Sequence, residues 1–355
     1  MLKDAISMLV SGHSLSIEQA AEAMSEIMDG TATPSQIAAF ATALRMKGET
    51  ADEIIGLVKT MRAKSIHVSV DRQVVDVVGT GGDRSGTFNI STAAAIVAAA
   101  AGLKIAKHGN RAASSQCGSA DVLEALGVKI ELNAEQVQMC LQELGIGFMF
   151  AQTFHPALKY AATPRREIGI RTVFNILGPL TNPAGASAQV IGVPDKSLLD
   201  KLALVLGHLG CSHALIVHGE DGIDEITISG KTFICELKDS YISSYTVGPE
   251  DFGLQGASLD NLRGGDAKQN AELLLGILRG KKGPQQDVVL MNAAAVFMVG
   301  DRTKTFQQGV ALAREMIDSR RALQKLEKLI EFSQKLGEKS DVKSNNIKQS
   351  SGTRA

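Results

Sequence analysis

The sequence is poor in cysteine, in net charge and in long apolar runs, and each shortage excludes something. Its 355 residues include four cysteines, Cys117, Cys140, Cys211 and Cys235, none close enough to another for a CxxC pair. No disulfide framework or structural zinc site can be read from them, and a reducing compartment fits better. Lys+Arg is 37 against Asp+Glu 38, a formal net charge of −1. A chain so balanced has no global field for a nucleic-acid backbone, so any anion site must be local. The longest apolar run, Ala93 to Leu103, is about half the ~20 residues a membrane helix needs. Met1-Leu2-Lys3-Asp4 has an early acid and no long apolar stretch behind it, unlike a secretory signal. The expectation is a cytoplasmic protein with neither membrane nor nucleic-acid partners.

What is present is apolar material, 44% of residues, enough for a sizeable core, on a length that suggests about two domains. The first seventy residues read as helices only. Ser16 with Gln19, Thr33 with Gln36 and Thr50 with Glu53 have capping-box spacing. Pro34 sits at a first helical position, and Gly30 and Gly48 sit where helices should stop. From Val74 the pattern alternates. Strands are expected at 74–78, 103–106, 128–130, 146–150, 188–191 and 214–218. Helices are expected at 91–101, 119–126, 134–144 and 197–209, which predicts βαβ units and a mainly parallel sheet. A helix opened by Thr163-Pro164 and a loop at 178–183 lie between the blocks. Helices return near 264–278, 287–298 and 305–336. The polar stretch after Gly337 reads as a disordered tail. No internal repeat is visible.

Four segments could carry chemistry. Gly79-Thr80-Gly81-Gly82-Asp83 follows a strand and precedes a helix, where backbone N–H groups can approach a phosphate. Arg84 fails the G-x-G-x-x-G test and Thr87 fails the Walker A test; a plain tight turn is the bland alternative. Lys107 to Ser119 repeats the strand-to-helix placement with two cations, an imidazole and several hydroxyls, against the alternative of a solvated basic loop. In Thr163-Pro164-Arg165-Arg166, two arginines in a first helical turn would oppose the macrodipole unless they bind an anion or a structural partner. Glu220, Asp221, Asp224 and Glu225 crowd four acids after a strand, either as a solvated turn or around a cation such as Mg²⁺. His208, His213 and His218 share no helix face and are set aside as a metal site.

Together, Gly79 to Asp83, Asn89-Ile90-Ser91-Thr92, Lys107-His108-Gly109-Asn110-Arg111, Arg165 to Thr172, Asn175 to Pro183 and Gly222-Ile223-Asp224-Glu225 resemble the anthranilate phosphoribosyltransferases. The match runs from the N-terminal helices to about residue 335. The resemblance implies an α/β fold like that of the nucleoside phosphorylases: a small all-helical N-terminal domain plus a larger α/β domain with a mainly parallel sheet. The helical domain would span 1–70 with helices from about 155–187. The α/β domain would span 71–154 and 188–336, with a disordered tail at 337–355. The implied reaction moves the phosphoribosyl group of phosphoribosyl pyrophosphate to anthranilate, in tryptophan biosynthesis. Gly79, Gly82, Asp83, Thr87, Asn89, Ile90, Ser91 and Thr92 would hold phosphoribosyl pyrophosphate from one side. From the other would come Lys107, His108, Gly109, Asn110, Arg111, Ala112, Ala113, Ser114, Ser115 and Ser119. Gly79, Asn110 and Arg165 would contact anthranilate, and Ser91, Asp224 and Glu225 would bind two Mg²⁺. No general acid or base is assigned. A homodimer through the helical domain is implied as well. The alternatives are a pyrimidine nucleoside phosphorylase, which needs no acidic Mg²⁺ pair, and a non-catalytic nucleic-acid-binding relative, which should show a basic surface.

Overall fold

The computed structural model describes residues 1–71, 73–112 and 115–351, with side chains through Glu338. Four helices come first: α1 (Leu2–Val10), α2 (Ile17–Met28), α3 (Pro34–Lys47) and α4 (Ala51–Ala63). The last three start at capping boxes built from Ser16, Thr33 and Thr50. The alternating part follows as β1 (Val75–Gly79), α5 (Ile90–Ala100), β2 (Ile105–Gly109), α6 (Ser119–Ala125), α7 (Ala134–Glu143) and β3 (Ile146–Phe150). Then come α8 (Ala151–Phe154), α9 (Lys159–Ile168), α10 (Phe174–Leu180), β4 (Ala188–Gly192), α11 (Leu199–His208) and β5 (His213–Gly219). The chain ends with β6 (Thr232–Lys238), β7 (Tyr241–Val247), α12 (Ala267–Leu278), α13 (Pro284–Val299), α14 (Phe306–Asp318) and α15 (Arg321–Ser351).

Among the described residues seven strands form one sheet in the order β3-β2-β1-β4-β5-β6-β7. β1 to β5 are parallel, and β6 and β7 add antiparallel at one edge. Both faces are covered, as a parallel sheet requires. Alternate residues serve opposite cores: Val190, Leu215 and Val217 pack with α5 and α12 to α15, while Ile191, Ala214 and Ile216 pack with α1 to α4, α10 and α11. The chain leaves β1 toward β2 and β3, then returns to β1's other side as β4. Ligands gather at such a reversal, outside the carboxyl ends of the strands.

Several expected elements differ. The 128–130 run makes no ladder, because the Lys129 N–H donates to Ser333 Oγ of α15 at 3.0 Å. The helix expected from Thr163 begins at Lys159, so Pro164 lies inside it and Arg165 and Arg166 fall in its last turn. There they suit the macrodipole, which removes the argument that they oppose it. Residues 178–180 belong to α10. The expected helix 305–336 is broken between α14 and α15 at Arg320, whose φ is +65°. α15 buries Ala322, Leu326, Leu329 and Leu336, and its backbone continues as helix to Ser351 where composition suggests a disordered tail. A polar composition argues against a core, not against propagating a helix already nucleated by packing. Residues 352–355 lie outside the described residues. The β6–β7 hairpin was not expected at all.

Candidate active site

The site is built where β1 and β4 end. Gly79 pairs with Gly192, and both must be glycine because the residue 224 segment presses on them. A Cβ on Gly79 would overlap the Asp224 carboxylate, and one on Gly192 would overlap the Asp224 carbonyl. Thr80 N–H donates to Gly192 O at 2.9 Å. Gly81 and Gly82 take φ of +70° and +78°, and Arg84 takes +58°. That last value is uncommon for a side chain with a Cβ and is concentrated at functional loops. This loop turns its backbone toward Asp224, whose Oδ2 accepts the Gly81 N–H at 2.7 Å. Asp83 is held by Ser85, whose hydroxyl donates to it at 2.5 Å and meets Thr87 Oγ1 at 3.2 Å.

The neighbouring acid, Glu225, accepts the Ser91 N–H at the start of α5 at 3.1 Å. Ser91 Oγ in turn accepts from Lys107 Nζ at 3.4 Å, and the same ammonium donates to Val77 O at 2.7 Å. Ser91, Asp224, Glu225 and Lys107 thus meet at one point, with Asp83 beside Asp224. Burial raises the carboxyls of Asp224 and Glu225 well above the ordinary range, with added repulsion from Asp83 at Asp224 and from Asp224 at Glu225; Lys107 opposes the rise at Glu225. The four-acid reading divides here. Asp221 is committed to Thr227 and Ser229, and Glu220 accepts the Lys231 N–H at 3.2 Å. Asp224 and Glu225 are held from behind by α13: Asn292 donates to Ile226 O at 2.9 Å and accepts the Ile226 N–H at 3.1 Å.

The second loop folds against the first. His108 N–H donates to Asp76 Oδ1 at 3.2 Å, and Asn182 Nδ2 donates to Asp76 Oδ2 at 2.7 Å and to Ala106 O at 2.8 Å. Burial lifts Asp76 to about 6, with Lys107 the largest opposing influence. His108 and His155 lie 5.1 Å apart, centroid to centroid, and burial pushes them down to about 3 and about 4. A Cβ on Gly109 would strike Ser119 Oγ. Ala120 N–H and Ser119 Oγ both donate to Asn110 O, at 3.1 and 3.4 Å. Asp121 receives the N–H groups of Ala112 and Gly118, each at 2.9 Å. Arg111 pairs with Asp121 at 3.0 Å and Glu124 at 2.7 Å, which ties its guanidinium to α6. Ser115 is exposed. Ala113 and Ser114 lie outside the described residues.

Arg165 is half-buried beside the Phe174 ring, 5.5 Å from its centroid, with no carboxylate in ion-pair range among the described residues. Among the described residues no hydrogen bond joins it to Gly79 or Asn110. Arg171, further along the same segment, does reach the loop: Nη1 donates to Gly81 O at 2.6 Å, where a Cβ on Gly82 would block it. Sequence reasoning gave Arg171 no role, although it lies in a quoted motif. It also passed over Asp76, a lone acid in a β-branched run, which is a readable sign of a buried polar anchor. Asn292 and Asn270 left no such sign.

The residues fit a hard divalent cation bound with help from substrate. Among the described residues no three His, Cys, Asp or Glu side chains form a metal cage. Mg²⁺ needs only one or two carboxylates plus substrate phosphates. Asp224 and Glu225, whose carboxyls are raised chiefly by burial, could supply those, and Ser91 could add a hydroxyl.

Such a fold and site define a glycosyltransferase made of a helical bundle and an α/β part. The glycosyl transferase family helical bundle domain matches residues 3–65, and the glycosyl transferase family a/b domain matches residues 71–323. An anthranilate phosphoribosyltransferase of Dehalococcoides mccartyi is 60% identical over 95% of this chain and 99% of its own. That of Chloroflexus aggregans is 55% identical over 94% and 98%. The solved anthranilate phosphoribosyltransferase of Thermus thermophilus superimposes with a TM-score of 0.89 at 44% identity, covering 93% of this chain and 99% of that one. The Saccharomyces cerevisiae enzyme, solved in complex with phosphoribosyl pyrophosphate and Mg, gives 0.87 at 30% identity, covering 94% and 98%. The chain belongs to the anthranilate phosphoribosyltransferase family.

Proposed function

We propose that this protein transfers the 5-phosphoribosyl group from phosphoribosyl pyrophosphate to the amine of anthranilate, giving N-(5-phosphoribosyl)anthranilate and pyrophosphate, in tryptophan biosynthesis. The observation that carries the reading is the meeting of the Gly79 loop, the α5 start, Lys107 and the Asp224–Glu225 pair at one strand-end crevice. Gly79, Gly82, Asp83, Thr87 and residues 89–92 hold the diphosphate from one side; Lys107 to Ser115 and Ser119 hold it from the other. The amine nitrogen bonds to the anomeric carbon as the carbon–oxygen bond to pyrophosphate breaks. The electron pair leaves on pyrophosphate, and the amine proton passes to solvent. Two Mg²⁺ held by Ser91, Asp224 and Glu225 would supply charge neutralisation for that leaving group. No strong base is required of the chain; its residues orient two substrates and aim N–H donors at developing charge.

Arg165 faces the anthranilate carboxylate, with Gly79 and Asn110 beside the ring. Helices α1 to α4 with residues 155–187 act as one domain, and residues 71–154 with 188–336 as the other. The protein works as a cytoplasmic homodimer. Exposed Val10 and Met46 on the helical part, 74% and 84% accessible, support that pairing; a monomer mass by light scattering would exclude it. Among the described residues no helix is long and apolar enough to cross a membrane.

Anthranilate fluorescence tests the reaction. It should fall when enzyme, phosphoribosyl pyrophosphate and Mg²⁺ are combined. A decline no faster than without enzyme, or one indifferent to chelation, refutes the assignment. Arg165→Ala should raise KM for anthranilate about tenfold or more, the loss of a charge-assisted contact of roughly 1.5–3 kcal/mol. An unchanged KM removes Arg165 from that role.

A further inference from the structure

Asn is a strong N-cap residue because its side chain accepts the N–H of the second or third helical residue. Asn133 does this for α7, and Ser16, Thr33, Thr50, Asp266 and Thr305 do it for their helices. Asn89, at the N-cap of α5, does not. Its side chain is taken by other partners. Asn270, 2% exposed on α12, donates Nδ2 to Asn89 Oδ1 at 3.0 Å, while its own Oδ1 accepts the Gly265 N–H at 2.8 Å. Cys117 Sγ also donates to Asn89 Oδ1, at 3.4 Å, and Asn89 Nδ2 donates to Cys117 O at 3.2 Å. The amide that would have closed the start of α5 is therefore turned toward α12 and the second loop. Ser91 N–H goes to Glu225, and Thr92 N–H is left with no acceptor among the described residues.

Asn270 is set for this by its surroundings. The chain before α12 runs antiparallel to the end of the Gly79 loop: Phe88 N–H donates to Leu262 O at 3.0 Å, and Gly264 N–H donates to Gly86 O at 2.8 Å. A Cβ at Gly264 would collide with Asn270 Oδ1 and the Phe88 backbone. The loop and α12 are thus pinned at a separation that lets one amide reach the other.

We propose that Asn270 is a positioning residue for phosphoribosyl pyrophosphate binding: it withholds the Asn89 side chain from capping α5, so that the Thr92 N–H at the helix start stays open to the diphosphate. This rests on the substrate assignment above. A helix start that satisfies itself is a poorer anion site, since the same donors serve either the cap or the ligand. Asn270 is set back from the substrate and acts through Asn89.

The test is calorimetric titration of phosphoribosyl pyrophosphate with Mg²⁺ present and anthranilate absent. Asn270→Asp keeps the acceptor for Gly265 and loses the donor to Asn89. Its Kd should weaken about fivefold, which is a self-cap of about 1 kcal/mol at 1.4 kcal/mol per tenfold. KM for anthranilate and kcat should stay within about twofold, a split that general loosening would not give. In an Asn89→Gly background, where no side chain remains to cap, Asn270→Asp should add almost nothing. A Kd unchanged in folded Asn270→Asp, or effects that add fully in the double variant, overturns the inference. If Asn270→Asp does not fold, Cys117→Ala decides, with about twofold weakening expected from losing one weak donor; no weakening overturns the inference. Wild-type protein that binds no phosphoribosyl pyrophosphate would sink the substrate assignment instead.

Discussion

At Gly79 the site tolerates no side chain larger than a hydrogen, and the reason is the Asp224 carboxylate pressed against it. Gly79→Ala must push Asp224 away and with it the bond to Gly81 N–H. Misplacement of about 1 Å at a reacting centre costs on the order of a hundredfold. Steady-state assays of Gly79→Ala should therefore show kcat/KM lower by about that factor. Overpacking of roughly 1–3 kcal/mol leaves the fold in place, so circular dichroism should remain native. Activity within about threefold of wild type would mean that Asp224 is free to move at no cost. At this scale the sequence was informative where a residue type has few uses. A glycine cluster after a strand, and acids crowded after another, picked out segments that the fold brings together at the strand ends. The ion pairs of Arg111 with α6 could not be read, because an arginine in a loop can serve a ligand, a neighbouring helix or both. Its partners Asp121 and Glu124 stand 10 and 13 residues further on, beyond the reach of a local pattern.

Among the elements, β1, α8 and α10 are joined through buried groups at their ends. His155 Nε2 meets Thr181 O at 3.1 Å, and Asp76 ties Asn182 to β1. His155 is held neutral by burial, its value depressed from 6.5 to about 4. The unfolded chain binds that proton near pH 6.5 and the folded chain does not until about 4. The stability contribution is therefore complete above about pH 6.5 and is lost as pH falls from there to about 4, roughly 3 kcal/mol in all. His155→Gln keeps a donor for Thr181 O without the titration. Thermal melts between about pH 7 and 4 should show a shallower fall in Tm for this variant; parallel curves would assign the acid sensitivity elsewhere. The element pattern was legible wherever one signal sufficed: capping boxes for α2 to α4, and β-branched runs ending in glycine for β1. The β6–β7 hairpin escaped because Lys238-Asp239-Ser240 carries no glycine. Its turn is made by Asp239 and Ser240 at φ of +48° and +69°, a cost met by the ladder on either side. The start of α9 was misplaced because Thr-Pro usually opens a helix, whereas here the preceding 3-10 turn at Pro156–Leu158 had already done so.

For the molecule as a whole, the binding crevice is made by chain segments from both cores, and a ligand that joins them must stabilise the folded state. At a concentration of about 100 times its Kd, a ligand adds about 2.7 kcal/mol, on the order of 5 °C in Tm for a chain of this size. Phosphoribosyl pyrophosphate with Mg²⁺ should raise the melting temperature by that amount, and after chelation the shift should largely vanish. Equal shifts with and without the cation would separate Asp224 and Glu225 from diphosphate binding. The two-part architecture and the parallel sheet could be read from alternation alone, because burial on both faces writes itself as apolar runs. The way the parts are clasped could not. Arg171 on Gly81, Asn182 on Asp76 and Asn270 on Asn89 are single polar contacts between residues far apart in the chain, and none leaves a local period.

The hold of Asn292 on the backbone beside Glu225 has a consequence for how the protein is made. The ribosome releases the Gly79 loop early, then Lys107, then the acidic pair, but the clamp behind that pair lies on α13. Long-range closures of this kind come late in folding, after the entropy of a long loop has been overcome. A nascent chain that has reached the end of β7 therefore carries the Gly79 loop, Lys107 and the acidic pair, yet lacks the Asn292 clamp that holds the backbone beside Glu225. The backbone clamp beside Glu225 is completed only when α13 docks.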